Sequence, residues 1–288
     1  MMKKMAAVIS AAGVSLLCGA PLPEGVVSES YRECRVISVQ DQAMTMPGAL
    51  FRSVGSSGAF KAAETYSASL NVFVIKHEES GQIALIDAGF GRENSRLLMK
   101  LAEIGISPAT VGDVFITHMH PDHTGGLLTP AGLAAFPNAR IHIARKEYEA
   151  WKSEGARDRA RLALRLAPYH EKIVLEDYGK ALAPYGLVPL LYPGHTPGHT
   201  VYSLKVTPAG EPARTIWFVG DIVHAADLQI PHPEFCARFD KEPETAVKSR
   251  RKMLENAPLW YGAHLPFPGI VRIEHKGDGF TFTAEKRP

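Results

Sequence analysis

The segment from Thr117 to Gly126, THMHPDHTGG, places four potential metal ligands, His118, His120, Asp122 and His123, within six residues. Side chains alternate along an extended turn, so His118 and His120 point the same way and can reach one ion. Asp122 and His123 fall just past Pro121, where a helix can begin, and can turn to a second ion beside the first. Gly125 and Gly126 allow the backbone to pack closely beneath them. A lone His-x-His pair is common on protein surfaces, whereas His-x-His-x-Asp-His after an apolar run is a specific pattern. Three later residues complete the set: His195 in the glycine-rich phrase PGHTPGHT, Asp221 at the end of TIWFVGD, and His264 in GAHLPFPG. Each alone is a weak signal, since strand-end aspartates form turns and single histidines are usually structural. Imidazole and carboxylate without thiolate suit zinc, manganese or iron. Two such ions ~3.5 to 4 Å apart can share a hydroxide whose pKa is drawn towards neutrality, able to attack a carbonyl or phosphoryl centre. No serine or cysteine nucleophile is then needed, and the chain has no GxSxG elbow, HExxH helix or GxxxxGK phosphate loop.

Elements to position these residues are visible in the hydrophobic pattern. LNVFVI and QIALID, from Leu70 to Asp87, are β-rich runs separated by Glu78-Glu79-Ser80-Gly81 and read as a hairpin. Leu97, Leu98, Leu101 and Ile104 recur at helical spacing between Arg92 and Ile104, and Gly105 follows as a stop. DVFITH leads into the first motif. A strand at Arg140 to Ala144, a helix near Glu147 to Lys152 and a second helical stretch, RARLALRLA, come next. Strands at LVPLLY, TVYSLKV and TIWFVGD, an amphipathic helix from Glu244 to Asn256 and a last short strand pair complete the order. The interval from Ser30 to about Tyr66 reads only as opening strands and a mobile loop. Strands and helices alternate with no linker to divide them, so residues 30–288 are read as a single α/β domain.

At 45% hydrophobic and 22% charged, 288 residues suffice for one large core, and a net charge of +2 with no long basic block excludes the footprint of a nucleic-acid binder. Three cysteines without a CxxC pair exclude an all-cysteine zinc site. Lys3 and Lys4, the apolar run from Met5 to Leu17 and the small residues to Ala20 give residues 1–20 the shape of a signal peptide, hence an exported, periplasmic or secreted protein. Pro21 opposes cleavage after Ala20, leaving a cytoplasmic protein as the alternative. No other apolar stretch approaches the ~20 residues of a membrane span. In an exported protein Cys34 and Cys236 could pair, although two free buried thiols are the commoner outcome. The oligomeric state stays open, a homodimer being one expectation.

From Leu70 to Phe282 the chain resembles the metallo-β-lactamase superfamily. ITHMHPDHTGG, AFPNA, PGHTPGHT, the GDI segment and HLPFPGI are similar to the branch containing methyl parathion hydrolase and related lactonases and arylesterases. The resemblance implies an αββα sandwich with two divalent metal ions, zinc foremost, at one edge. It implies that His118, His120 and His195 hold one ion, that Asp122, His123 and His264 hold the other, and that Asp221 bridges them. His199 is left as a packing or supporting residue. His224 stands where related lactonases carry a substrate-contacting tyrosine, and it could stabilise an oxyanion, protonate a leaving group or simply pack. Trp151 resembles an aromatic residue of the leaving-group pocket, although an aromatic on a helix is more often core. Phe90 is a weaker candidate of the same kind. Asp87 reads as a partner of a ligand histidine or loop amide.

The expected activity is hydrolysis of a neutral ester, lactone or phosphotriester. The alternative is a glutathione thioester hydrolase or a persulfide dioxygenase of the same fold. Glutathione's carboxylates would need a cluster of Lys or Arg near the motifs, and none is evident in the sequence. A β-lactamase is disfavoured by Asp221, a flavodiiron enzyme by His120, a nuclease by the short interval from Asp221 to His264, and a mere binding module by the complete ligand set.

Overall fold

The computed structural model describes residues 21–55, 63–153 and 155–285. The export reading of residues 1–20 lies outside that range, as does part of the loop expected before Tyr66. The interval read only loosely holds strands β1 (Val26–Ser30), β2 (Cys34–Pro47) and β3 (Phe51–Ser53). Then come β4 (Thr65–His77), β5 (Ile83–Ile86), α1 (Leu97–Glu103), β6 (Val111–Ile116), α2 (Pro121–Thr124), β7 (Arg140–Ala144), α3 (Arg145–Lys152), α4 (Ala156–Leu166) and β8 (Ile173–Glu176). The second half holds β9 (Val188–Leu191), β10 (Thr200–Val206), β11 (Arg214–Gly220), α5 (Ala226–Gln229), β12 (Phe235–Ala237), α6 (Pro243–Asn256), β13 (Leu259–Gly262), β14 (Ile270–Lys276) and β15 (Gly279–Ala284).

Two sheets face each other, one ordered β1-β2-β4-β5-β6-β7-β8 and the other β15-β14-β13-β11-β10-β9. Strand β4 shows why they stack. Val72 and Val74 pack with α1 and α4 residues such as Leu97, Leu101 and Leu162, whereas Phe73 and Ile75 point the other way, onto Phe218 and Tyr261 of the second sheet. Period-two alternation with both faces apolar demands a layer on each side. The second sheet repeats the arrangement, with Ile216 and Phe218 facing inward and Val219 packing outward with Met253 and Leu254 of α6. The result is the expected αββα sandwich.

Two expectations change in detail. The first helix starts at Leu97 because Asp41, at the bulge of β2 between Gln40 and Gln42, accepts the N–H groups of Phe90, Arg96 and Leu97 and the Ser95 hydroxyl. Those bonds hold residues 90–96 in a turn. The expected final strand pair is three strands, β13 to β15, and β8 and β12 are additional strands that the sequence pattern does not mark. Cys34 and Cys236 are both buried and unpaired. No helix among the described residues is long and apolar enough to cross a membrane.

The parallel pairs decide where chemistry can sit. β5 runs parallel to β6, and β11 runs parallel to β13. The C-terminal ends of all four open on the same edge, where α/β proteins bind their ligands. Asp87, His118, Asp221 and His264 each follow one of these ends within a few residues.

Candidate metal centre

His118 and His120 leave the end of β6, and His195 arrives from the loop between β9 and β10. Their ring nitrogens form a triangle: His118 Nε2 to His120 Nδ1 is 2.9 Å, His120 Nδ1 to His195 Nε2 is 2.9 Å, and His195 Nε2 to His118 Nε2 is 3.2 Å. Nitrogens each ~2 Å from one tetrahedral ion would stand roughly 3.3 Å apart, so the triangle is one face of such a site, slightly contracted. Asp122, His123 and His264 form a second group. Asp122 Oδ2 lies 3.3 Å from His264 Nε2 and 3.7 Å from His123 Nε2. Asp221 stands between the groups, with Oδ1 3.1 Å from His123 Nε2 and Oδ2 3.2 Å from both His195 Nε2 and His264 Nε2.

The residues fit two ions by a direct test. His123 Nε2 and Asp221 Oδ1 are close, yet both are buried without a hydrogen-bond partner of acceptable geometry. Atoms that are near one another but not aligned as donor and acceptor are aimed at a third point. Leaving both polar atoms empty in the interior would cost about 1 to 3 kcal/mol each, a cost that cations at the shared points remove.

Protonation follows the same logic. Burial, reinforced by neighbouring imidazoles, holds His118 and His120 well below the ordinary histidine range, so both are neutral, as a metal ligand must be. Burial would raise Asp221, but the imidazoles around it, His123 foremost, hold it well below the usual carboxylate range. Burial lowers His195 and His264, but the carboxylates around them outweigh it together, Asp221 with Asp240 at His195 and Asp221 with Asp122 at His264, pushing them to about 9 and about 10. Protons and metal ions compete for those atoms.

The outward nitrogens are tied as a metal site requires. His195 Nδ1 is 2.8 Å from Asp240 Oδ1, His123 Nδ1 is 2.7 Å from Asp87 Oδ2, and His118 Nδ1 is 3.1 Å from Thr117 Oγ1. Asp87 has the role expected of it, and its Oδ1 also accepts the Thr117 N–H at 2.8 Å. His199 Nε2 accepts the Asp221 N–H at 3.0 Å while Nδ1 faces the Tyr192 carbonyl, so it positions the backbone of Asp221. A Cβ on Gly126 would lie 1.9 Å from the Ala88 carbonyl oxygen, and one on Gly125 would lie 2.0 Å from that of Phe90. The two glycines let the first motif sit directly on the loop after β5.

A cavity of about 340 Å³ opens above the centre, lined by His120, Asp122, Asp221, His224 and His264 and by Met44, Met46 and Phe239. His224 is fully buried, with Nε2 3.0 Å from Asp221 Oδ2 and its ring stacked on His264 at 5.2 Å. Trp151 lies behind the centre: its ring meets His120 edge to face at 5.6 Å, and its Nε1 donates to Glu147 Oε1 at 2.7 Å. It faces a separate apolar hollow between α3 and α4. Phe90 lines a neighbouring hollow with Gln42, Arg92 and Pro130, and Arg92 lies over its ring. Neither aromatic is among the residues that line the cavity over the centre, because Asp41 holds the turn of Phe90 and Glu147 holds Trp151.

Sequence reasoning missed Asp240, Glu147, Met44, Met46 and Phe239. The only signal was at Glu147, a carboxylate on the same helix face as Trp151 four residues later. Burial holds Glu147 above the usual carboxylate range despite four hydrogen bonds to it.

Residues 69–259 match the family model of the metallo-beta-lactamase superfamily. The chain belongs to that superfamily. Within it, the chain is 30% identical over 148 residues to the N-acyl homoserine lactonase AttM of Azorhizobium caulinodans, covering 49% of this chain and 53% of the relative. It is 31% identical over 169 residues to an N-acyl homoserine lactonase of Bacillus thuringiensis, covering 57% and 58%. The chain thus spans little more than half the length of these curated relatives. Among solved superfamily structures, AidC, a dizinc quorum-quenching lactonase in complex with the product N-hexanoyl-L-homoserine, superposes with a TM-score of 0.79 at 26% identity over 92% of this chain and 98% of the other. The hydrolase AbOPH of the beta lactamase superfamily follows with a TM-score of 0.75 at 25% identity over the same shares.

Proposed function

We propose that this chain is a dizinc hydrolase that opens the ester ring of a lactone carrying an apolar acyl group. The observation that carries the reading is Asp221, placed between two imidazole-rich groups directly beneath a cavity whose remaining wall is Met44, Met46, Pro121 and Phe239. Among the described residues no lysine or arginine lines that cavity, which disfavours the dicarboxylate glutathione and favours a neutral substrate. The curated relatives named as N-acyl homoserine lactonases, and the dizinc lactonase of like fold, support the same substrate class.

His118, His120 and His195 would hold one zinc ion and Asp122, His123 and His264 the other, with Asp221 shared. When bound, the ions supply Lewis acidity and draw the pKa of water towards neutrality. The chain's own residues do the rest. Asp240, Asp87 and Thr117 keep the ligand imidazoles turned inward, and His224 steadies Asp221 at Oδ2. Met44 and Phe239 seat the acyl group and keep bulk water from the reacting ester, with Met44 adaptable enough to accept chains of differing length.

The test is a panel of N-acyl homoserine lactones, simple lactones, aryl esters, a phosphotriester, a glutathione thioester, glutathione persulfide and a β-lactam. Acyl lactones should give the highest kcat/KM. A tenfold preference for the thioester or persulfide, worth ~1.4 kcal/mol in the transition state, would replace this reading with the glutathione one. A Met44→Ala variant should lose rate on long-chain lactones more than on short ones, by up to about 0.8 kcal/mol for each methylene left unburied.

A further inference from the structure

Glu147 is a buried carboxylate in the first turn of α3 with no part in any ligand group. Its two oxygens divide their work cleanly. Oε1 accepts the Met119 N–H at 2.9 Å, between His118 and His120, together with the Trp151 indole N–H. Oε2 accepts the Thr196 hydroxyl at 2.7 Å and the Gly198 N–H at 3.0 Å, in the loop that begins with His195. That loop approaches so closely that a Cβ on Gly198 would lie 2.2 Å from the Glu147 nitrogen. One side chain therefore touches both loops that carry the nitrogen triangle, and it touches neither His123 nor His264.

We propose that Glu147 is a positioning residue that sets the spacing of the loops bearing His118, His120 and His195, and so controls how tightly that half of the centre holds its ion. This rests on the two-ion centre and not on the lactone reading, so failure of the substrate panel leaves it intact. The chemistry of the carboxylate is what makes the role specific. All four partners are donors, and only a group with two acceptor oxygens satisfies them together. In Glu147→Gln the amide must turn its NH₂ towards one pair, against either the Met119 and Trp151 N–H groups or the Gly198 N–H, none of which can accept; only the Thr196 hydroxyl can turn to do so. Buried polar groups left in that state push the loop away.

The experiment follows chelator-driven release of metal from Glu147→Gln protein reconstituted with zinc. Release of one equivalent should become about ten to a hundred times easier, the usual consequence of losing a partner that orients ligands, while the second equivalent is held as in the parent chain. Two backgrounds locate the weakened ion. Combined with His264→Ala, which leaves the nitrogen triangle intact, the substitution should loosen the remaining ion. Combined with His195→Ala it should leave the remaining ion unchanged. The metal-free protein should melt somewhat lower because buried donors lose their acceptor, but by the same amount in both backgrounds, so a loss of affinity confined to one ion is separate from that general cost. Thr196→Val, which removes a single donor to Oε2, gives a milder and separately folding probe and should loosen the same ion to a smaller degree. Equal loosening of both ions, loosening only of the ion held by His123 and His264, or no loosening in either variant overturns the assignment.

Discussion

Oδ1 of Asp240 lies 2.8 Å from Nδ1 of His195 across 45 residues of sequence, and both side chains are buried. The other oxygen of Asp240 accepts the Ala237 N–H at 3.0 Å, which fixes the carboxylate before the imidazole meets it. Asp240→Asn keeps the shape and one acceptor but frees His195 to turn or change tautomer. Zinc affinity of the nitrogen triangle should fall about ten- to a hundredfold, read by metal titration. Unchanged affinity would show that the contact does not orient the ligand.

Asp221→Ala and His120→Ala should each cost at least about a thousandfold in turnover, or ~4 kcal/mol of barrier, while circular dichroism stays near that of the parent. Neither side chain belongs to the apolar core clusters, which are built from residues such as Phe73, Phe218 and Trp260. Exhaustive chelation of the parent protein should abolish activity, and recovery should require close to two equivalents of metal. Full activity at one equivalent would contradict a dinuclear centre.

His224→Phe should preserve the stack on His264 and remove the nitrogen 3.0 Å from Asp221 Oδ2. The expected outcome is a fall in kcat of about ten- to a hundredfold with little change in KM, since His224 is buried and acts through Asp221. A rise in KM with kcat unchanged would instead place His224 against the bound substrate.

Gly126→Ala should destabilise the protein by about 1 to 3 kcal/mol, the usual cost of forcing extra volume into packed structure. The added carbon would meet the backbone oxygen of Ala88, which cannot rotate away as a flexible side chain could. Thermal unfolding measures the loss, and a variant as stable as the parent would show that the loop after β5 can yield.

The cluster of candidate ligands was legible in the amino-acid sequence because its densest part is local. Two histidines at period two after an apolar strand converge whatever the rest of the fold does, and the aspartate and histidine that follow ride the next turn. The same locality made the apolar strands and amphipathic helices readable, and with them the layered architecture. Only the tertiary structure decided which groups stand behind the ligands and which stand before them. Asp240 reaches His195 because the chain returns after β12, Glu147 spans two loops because α3 packs beneath both, and Met44 and Met46 reach the cavity from a strand near the start of the chain. Phe90 and Trp151, candidates by local analogy, are drawn into other hollows by Asp41 and Glu147. Such contacts depend on strand order, on register and on one bulge in β2, and these are settled by burial summed over the whole core. No window of neighbouring residues records that sum.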